Sequence, residues 1–179
     1  MLRRIALIGL AGSGAILAAE RVLERARRGR APDPLRMLVV VDAPVERVWA
    51  VVADVPLQVE WMAEMRELVL DPPGRAHAGQ RGEATVRILG ISVTDPVEIV
   101  ALEPPRRYEI RHRGLFKGGG VITLEPGADG TTTIVRWDET LTPPILPELC
   151  ALAQAPILRS IFKADLERLK RLVEDGAVA

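Results

Sequence analysis

The apolar and polar positions change their period along the chain, and this change predicts the order of helices and strands. Residues 36–42, RMLVVVD, form a β-branched run typical of a strand. Residues 44–54, PVERVWAVVAD, carry apolar side chains at helical spacing, with Pro44 suited to the first turn. Pro56 ends this helix and opens a second short helix through Trp61 to Met65.

The middle of the chain has only strand character. Turn residues separate the apolar runs 66–70, 82–89, 91–102, 106–113, 118–125 and 131–141. Because no helical pattern interrupts them, we expect hairpin connections and an antiparallel sheet.

The chain ends in a long predicted helix over residues 147–175. Its broad apolar stripe consists of Leu149, Leu152, Ile157, Ile161, Phe162, Leu166, Leu169, Leu172 and Val173. Such a stripe needs a cover, and the concave face of a strongly bent sheet is the only predicted surface of sufficient size.

An apolar run over residues 5–19 precedes these elements and contains Gly9, Gly12 and Gly14. The glycine spacing departs from G-x-G-x-x-G, and strands and helices do not alternate afterwards, so a dinucleotide-binding unit is excluded. The run is shorter than the roughly 20 residues that cross a bilayer, although flanking arginines can extend it. We favour an uncleaved membrane anchor over a cleaved secretory signal, with a soluble helix third.

The distribution of arginines predicts the orientation of that anchor. Five arginines lie between residues 21 and 30, against two before the apolar run. Because the more positive flank tends to stay inside, we expect a membrane-anchored protein with its domain on the cytoplasmic side. Signal cleavage would instead give a secreted protein.

The same features divide the chain into segments. Residues 1–30 form the anchor-like helix and basic extension, and residues 31–35 form a linker containing two prolines. Residues 36–174 form one folded domain, followed by a tail over residues 175–179.

Composition narrows the possible partners. Lysine and arginine together number 24, as do aspartate and glutamate, so no net positive field attracts nucleic acid. The single cysteine excludes an internal disulfide, and the two histidines form no cluster at zinc-ligand spacing. We therefore predict no metal, no cofactor and no nucleic-acid partner, and the oligomeric state stays open.

Four segments in this order resemble the helix-grip fold of the START and polyketide-cyclase (SRPBCC) superfamily, in its polyketide cyclase/dehydrase-like branch. They are VDAPVERVWAVVADVPLQVEWM, EPPRRYEI, DGTTTIVRWDETL and KADLERLKRLVE. The resemblance implies an α+β fold: a bent antiparallel sheet wrapped around a long C-terminal helix, with two short helices after the first strand. Here an N-terminal apolar helix is added. It also implies a cavity for a lipid, polyketide, isoprenoid or other apolar ligand, with cyclisation or dehydration chemistry in some members.

Strand alternation selects the side chains that face this cavity, because neighbours on a strand point to opposite faces. The short second helix and the last helix add a few more. We predict as ligand-binding residues Trp61, Val86, Ile88, Val97, Ile99, Tyr108, Ile110, His112, Ile122, Val135, Trp137, Glu139, Leu152 and Phe162.

Four of the inward positions can carry acid–base chemistry, namely Asp95, Tyr108, His112 and Glu139. Histidine exchanges protons near neutral pH, and a carboxylate or phenol can polarise an enolising carbonyl. The alternative is that Tyr108 is a core phenol and His112 a residue at the cavity mouth. We favour the alternative because no nucleophile–base spacing supports catalysis.

Three functions follow from these residues. A binding or carrier protein needs only a dry cavity with a mouth, and we favour it. A polyketide cyclase or dehydratase would use the acid–base residues in that cavity. An accessory protein without catalysis would act through its outer surface.

Overall fold

A computed structural model describes residues 2–88 and 90–176, with only the backbone described for residues 2–13. The predicted strand end at Leu89 and the tail residues 177–179 lie outside the described residues. The helices are α1 (Leu2–Arg27), α2 (Val45–Val52), α3 (Gln58–Trp61) and α4 (Pro147–Glu174). The strands are β1 (Leu35–Val41), β2 (Met65–Asp71), β3 (Arg81–Ile88), β4 (Ile91–Glu103), β5 (Arg107–His112), β6 (Lys117–Pro126) and β7 (Thr133–Thr142).

The strands form one antiparallel seven-stranded sheet in the order β1-β7-β6-β5-β4-β3-β2. The predicted α+β helix-grip fold is therefore confirmed. The second short helix is shorter than predicted, because the backbone is extended at Met62 and Met65 already pairs with Val86 in the sheet.

The C-terminal half of α4 closes one end of the molecule. Leu166, Leu169 and Val173 are fully buried in a core shared with β1, β7 and α2. The N-terminal half is different, because Leu152 and Ile157 are 62% and 43% exposed. In this half a cavity separates the helix from the sheet: Ile157 and Leu158 line it, whereas Leu152, the predicted stripe residue that is most exposed, lies outside its wall.

Helix α1 is docked on the beginning of α4. The α4 N-terminus has no side-chain cap from its own segment, since Leu146 stands at the N-cap position. The Glu20 carboxylate accepts hydrogen bonds from the backbone N–H groups of Glu148 (2.9 Å) and Leu149 (3.0 Å), and Arg27 pairs with Glu148. A carboxylate from α1 thus satisfies the N–H groups that a helix start leaves unpaired.

The prediction of a membrane anchor with a cytoplasmic domain is wrong. In residues 2–88 and 90–176 no helix has the length and apolar character needed to cross a membrane. The physical reason lies in α1 itself, whose apolar run ends at Glu20, the residue that contacts α4.

We predict that Glu20→Ala lowers the free energy of unfolding by about 1–2 kcal/mol, the usual cost of losing a helix cap. Glu24→Ala is the matched control, because Glu24 is an exposed residue of the same helix. Urea denaturation gives the stability, and hydrogen exchange reports whether the first turn of α4 opens. Equal effects of the two substitutions would contradict the docking.

Candidate functional site

A cavity of about 390 Å³ lies between the concave face of the sheet and the N-terminal half of α4. Its walls are mainly apolar. They come from β2 to β7, from α3 and the segment after it, and from α4. Representative apolar wall residues are Met62, Val86, Val97, Ile110, Ile122 and Phe162.

Most of the predicted ligand-binding residues meet around this cavity. Those that line it are Val86, Ile88, Val97, Tyr108, Ile110, His112, Ile122, Trp137, Glu139 and Phe162, together with the predicted catalytic candidate Asp95. Their role in binding stays a prediction.

The other four predicted residues do not line the cavity. Trp61, Ile99 and Val135 belong to the solid core, and Trp61 packs edge-on against Trp137 with ring centroids 5.9 Å apart. Leu152 is largely exposed. Alternation along a strand predicts which face of the sheet a side chain points to. It does not predict where along that face α4 packs directly on the sheet and where a cavity lies between them.

One end of the cavity carries a chain of polar side chains centred on His112. Its Nδ1 lies 3.2 Å from Asp95 Oδ2, and its Nε2 lies 3.4 Å from Glu139 Oε1. The remaining carboxylate oxygens also have donors: Asp95 Oδ1 accepts from the Leu115 backbone N–H (2.8 Å), and Glu139 Oε2 accepts from the Trp137 indole (2.9 Å). Both carboxylates are therefore held in place.

This geometry favours the imidazolium form of His112. Both ring nitrogens face a carboxylate oxygen, and only the doubly protonated ring can donate to both. Burial acts to lower the pKa of His112, but the hydrogen bonds and charges of Glu139 and Asp95 outweigh it and raise that pKa above its ordinary value.

Glycines make room for both carboxylates. A Cβ atom at Gly120 would collide with the Glu139 carboxylate, and one at Gly114 would collide with the Asp95 carboxylate. The glycine run at the start of β6 therefore positions the polar cluster.

The end of the cavity next to α3 holds a second polar group. Tyr108 lies four residues before His112 on β5, about 13 Å along the strand, so the structure separates it from the other three catalytic candidates. Among the described residues its buried hydroxyl has no hydrogen-bond partner. Burial raises the pKa of Tyr108, and the nearby Gln58 side chain acts in the opposite direction.

Asp165, which our sequence analysis missed, completes this end. It is fully buried, its Oδ1 accepts from the Ala63 backbone N–H (3.1 Å) and from the Arg168 guanidinium, and its Oδ2 has no partner among the described residues. Burial, followed by the neighbouring Glu64 carboxyl, raises the pKa of Asp165 to about 7. An acidic residue three positions after Phe162, inside the apolar stripe of α4, is the signal that could have revealed it.

Metal binding finds no support in this part of the molecule. Residues 2–88 and 90–176 contain no group of three or more His, Cys, Asp and Glu side chains that could hold a metal ion.

Residues 35–174 match the family described as polyketide cyclase / dehydrase and lipid transport. The chain belongs to this family. The superfamily resemblance drawn from the sequence is thereby confirmed. A comparison with curated proteins finds no match.

Solved structures share the fold of this family member at low sequence identity. A Thermus thermophilus protein is 20% identical, with a TM-score of 0.64 over 81% of this chain and 99% of its own. The Zhui aromatase/cyclase of a Streptomyces species is 18% identical, with a TM-score of 0.61 over 80% and 94%. A Deinococcus radiodurans protein is 24% identical, with a TM-score of 0.59 over 79% and 96%.

We predict that the pKa of His112 lies above its ordinary value of about 6.5, and that Glu139→Gln lowers it. An NMR titration in a His77→Asn background observes this imidazole alone, since the chain has two histidines. A raised pKa also means that His112 stabilises the fold fully below about pH 6.5 and loses this effect as the pH rises through the folded-state pKa. A His112 pKa below 6.5 would contradict the cluster.

We predict that Asp165→Asn removes a fall in stability with rising pH. The folded protein keeps the Asp165 proton up to about pH 7, whereas the unfolded chain loses it near the ordinary pKa of 3.8, so wild-type stability falls between these values. The variant loses this pH-dependent cost, and it also loses the charge that pairs with Arg168, so its stability should depend less on pH than that of wild type.

Glu167→Gln, at an exposed position of the same helix, is the control for the Asp165 experiment. Urea denaturation across the pH range gives the slopes. An unchanged slope in Asp165→Asn would show that another group is responsible.

Proposed function

We propose that the chain binds a hydrophobic small molecule in the cavity between the sheet and α4, as a binding or carrier protein. The observation that carries this proposal is a cavity with mainly apolar walls and polar groups confined to its two ends. Its volume of about 390 Å³ is in the range of small-molecule sites. Membership of a family described by polyketide cyclase, dehydrase and lipid transport activities supports the same class of ligand.

Burial of apolar surface supplies most of the binding free energy in this proposal. Each Å² removed from water contributes about 25 cal/mol, so a ligand of two or three rings needs few polar contacts. The side chains of His112, Glu139, Trp137 and Tyr108 then orient the ligand.

A second candidate function is proton transfer to or from the bound ligand, and the Asp95–His112–Glu139 cluster favours it. A histidine whose two nitrogens face carboxylates can hold a proton near neutral pH and release it to a neighbouring group. The likeness to an aromatase/cyclase agrees with this candidate at the level of the fold.

The test of binding compares charges placed inside and outside the cavity. We predict that Val86→Asp abolishes binding of the neutral fluorescent probe N-phenyl-1-naphthylamine, because a carboxylate in the wall is unpaired. Val69→Asp, at a position 48% exposed on β2, should leave binding unchanged. His112→Asn should weaken it only a few-fold, because the His112 ring nitrogens already face carboxylates and the apolar walls stay intact.

Two further readouts complete this experiment. Circular dichroism and thermal unfolding confirm that each variant is folded, and native mass spectrometry identifies any apolar molecule that copurifies. Equal binding by Val86→Asp and wild type would reject the cavity as the site. If the protein accelerates deuterium exchange into the methyl group of 2-acetylnaphthalene, and His112→Asn abolishes this while probe binding persists, the second candidate replaces the first.

A further inference from the structure

The two ends of the cavity differ in the hydrogen bonds they can offer to a ligand. Between them the walls are apolar, so a ligand can satisfy polar groups only at its two ends. About 13 Å of β5 separates Tyr108 at one end from His112 at the other. The chemistry of each end therefore constrains one end of the ligand.

At the His112 end the imidazole and indole donors are already engaged within the protein. The two imidazole nitrogens face Asp95 and Glu139, and the Trp137 indole donates to Glu139. What remains are lone pairs on two buried carboxylates, each about 5% exposed. One imidazolium between two carboxylates leaves a net negative charge, so this end favours a hydroxyl or N–H donor and repels an anion.

The α3 end offers a donor. Tyr108 is 2% exposed and lines the cavity, and its hydroxyl, beside the Gln58 side chain, has no partner at full hydrogen-bond geometry among the described residues. Asp165 Oδ2 is likewise buried without a partner, and its carboxyl shares this end with Glu64. A buried hydroxyl without a partner is costly, and a carbonyl oxygen of a ligand would satisfy it.

We infer that the cavity takes a neutral, elongated ligand that carries a hydroxyl or N–H donor for the Glu139–Asp95 end and a carbonyl for Tyr108 at the α3 end. This inference rests on the proposed function and adds the polarity and direction of the ligand. It also disfavours carboxylate and phosphate ligands, because the Asp95–His112–Glu139 cluster carries a net negative charge and the Glu64 carboxyl lies at the other end, where Asp165 is paired with Arg168.

A set of matched naphthalenes tests the inference. The two-ended probe is 6-hydroxy-2-acetylnaphthalene. Replacing its hydroxyl by methoxy removes the donor, 2-naphthol lacks the carbonyl, unsubstituted naphthalene lacks both, and 6-hydroxy-2-naphthoate carries a negative charge. Affinities come from ligand or tryptophan fluorescence with the full-length wild-type protein.

We predict that the two-ended probe binds tighter than naphthalene and that each deletion weakens it about three- to tenfold, as for single hydrogen bonds. Tyr108→Phe should weaken the ketones but leave 2-naphthol unchanged, and Glu139→Gln should weaken the hydroxyl probes but leave the methoxy ketone unchanged. Phe162→Leu, at an apolar wall position, is the control and should affect every probe alike. Thermal unfolding shows that each variant is folded.

The possible failures are distinguishable. If no probe binds, naphthalene included, the proposed function fails and this inference with it. If naphthalene binds as tightly as the two-ended probe, or if Tyr108→Phe weakens 2-naphthol as much as the ketone, the proposed function stands and the inference is overturned. Equally tight binding of the naphthoate would also overturn it.

Discussion

The packing of the C-terminal half of α4 against β1, β7 and α2 is the interaction on which the remaining structure depends. Leu166, Leu169 and Val173 fill the core at this end without residual exposure. Because the helix is held there and the sheet is bent, the opposite half of α4 stands apart from the strands. The cavity is the space left between the sheet and this half of α4. Its walls are apolar because they consist of strand residues that would form core if the helix packed directly on them.

Polar side chains are exceptions in the walls of this cavity, which are mainly apolar. Each polar group in the walls has lost water, so it needs a partner in the protein or in a ligand. The cluster at His112 has found its partners within the protein, with glycines at positions 114 and 120 leaving space for the carboxylates. Among the described residues, Tyr108 and Asp165 each retain an atom without a partner at full hydrogen-bond geometry. The two ends of the cavity therefore differ in whether their polar side chains find hydrogen-bond partners within the protein. This difference comes from the particular side chains and not from the fold.

The sequence predicted the structure correctly where the local spacing of apolar and polar residues determines which face a side chain lies on. Alternation along β4, β5 and β7 was enough to bring Asp95, His112 and Glu139 into one set before their contacts were known. It did not predict burial depth: Trp61 belongs to the core, where it packs against Trp137, and Leu152 is exposed outside the cavity wall. Asp165 escaped notice because an acidic residue within a helix is ordinarily assigned to the solvated face. The membrane assignment failed because apolar character alone did not reveal the contact of Glu20 with α4.

That contact has a kinetic consequence. The half of α4 that covers the cavity begins at the N–H groups bound by Glu20, so α1 holds this cover from outside the binding site. Any movement of the first turns of α4 away from the sheet must either break two charge-assisted hydrogen bonds or carry α1 along. Under the proposed function, the residence time of a ligand that enters and leaves on this side would depend partly on Glu20, which does not line the cavity.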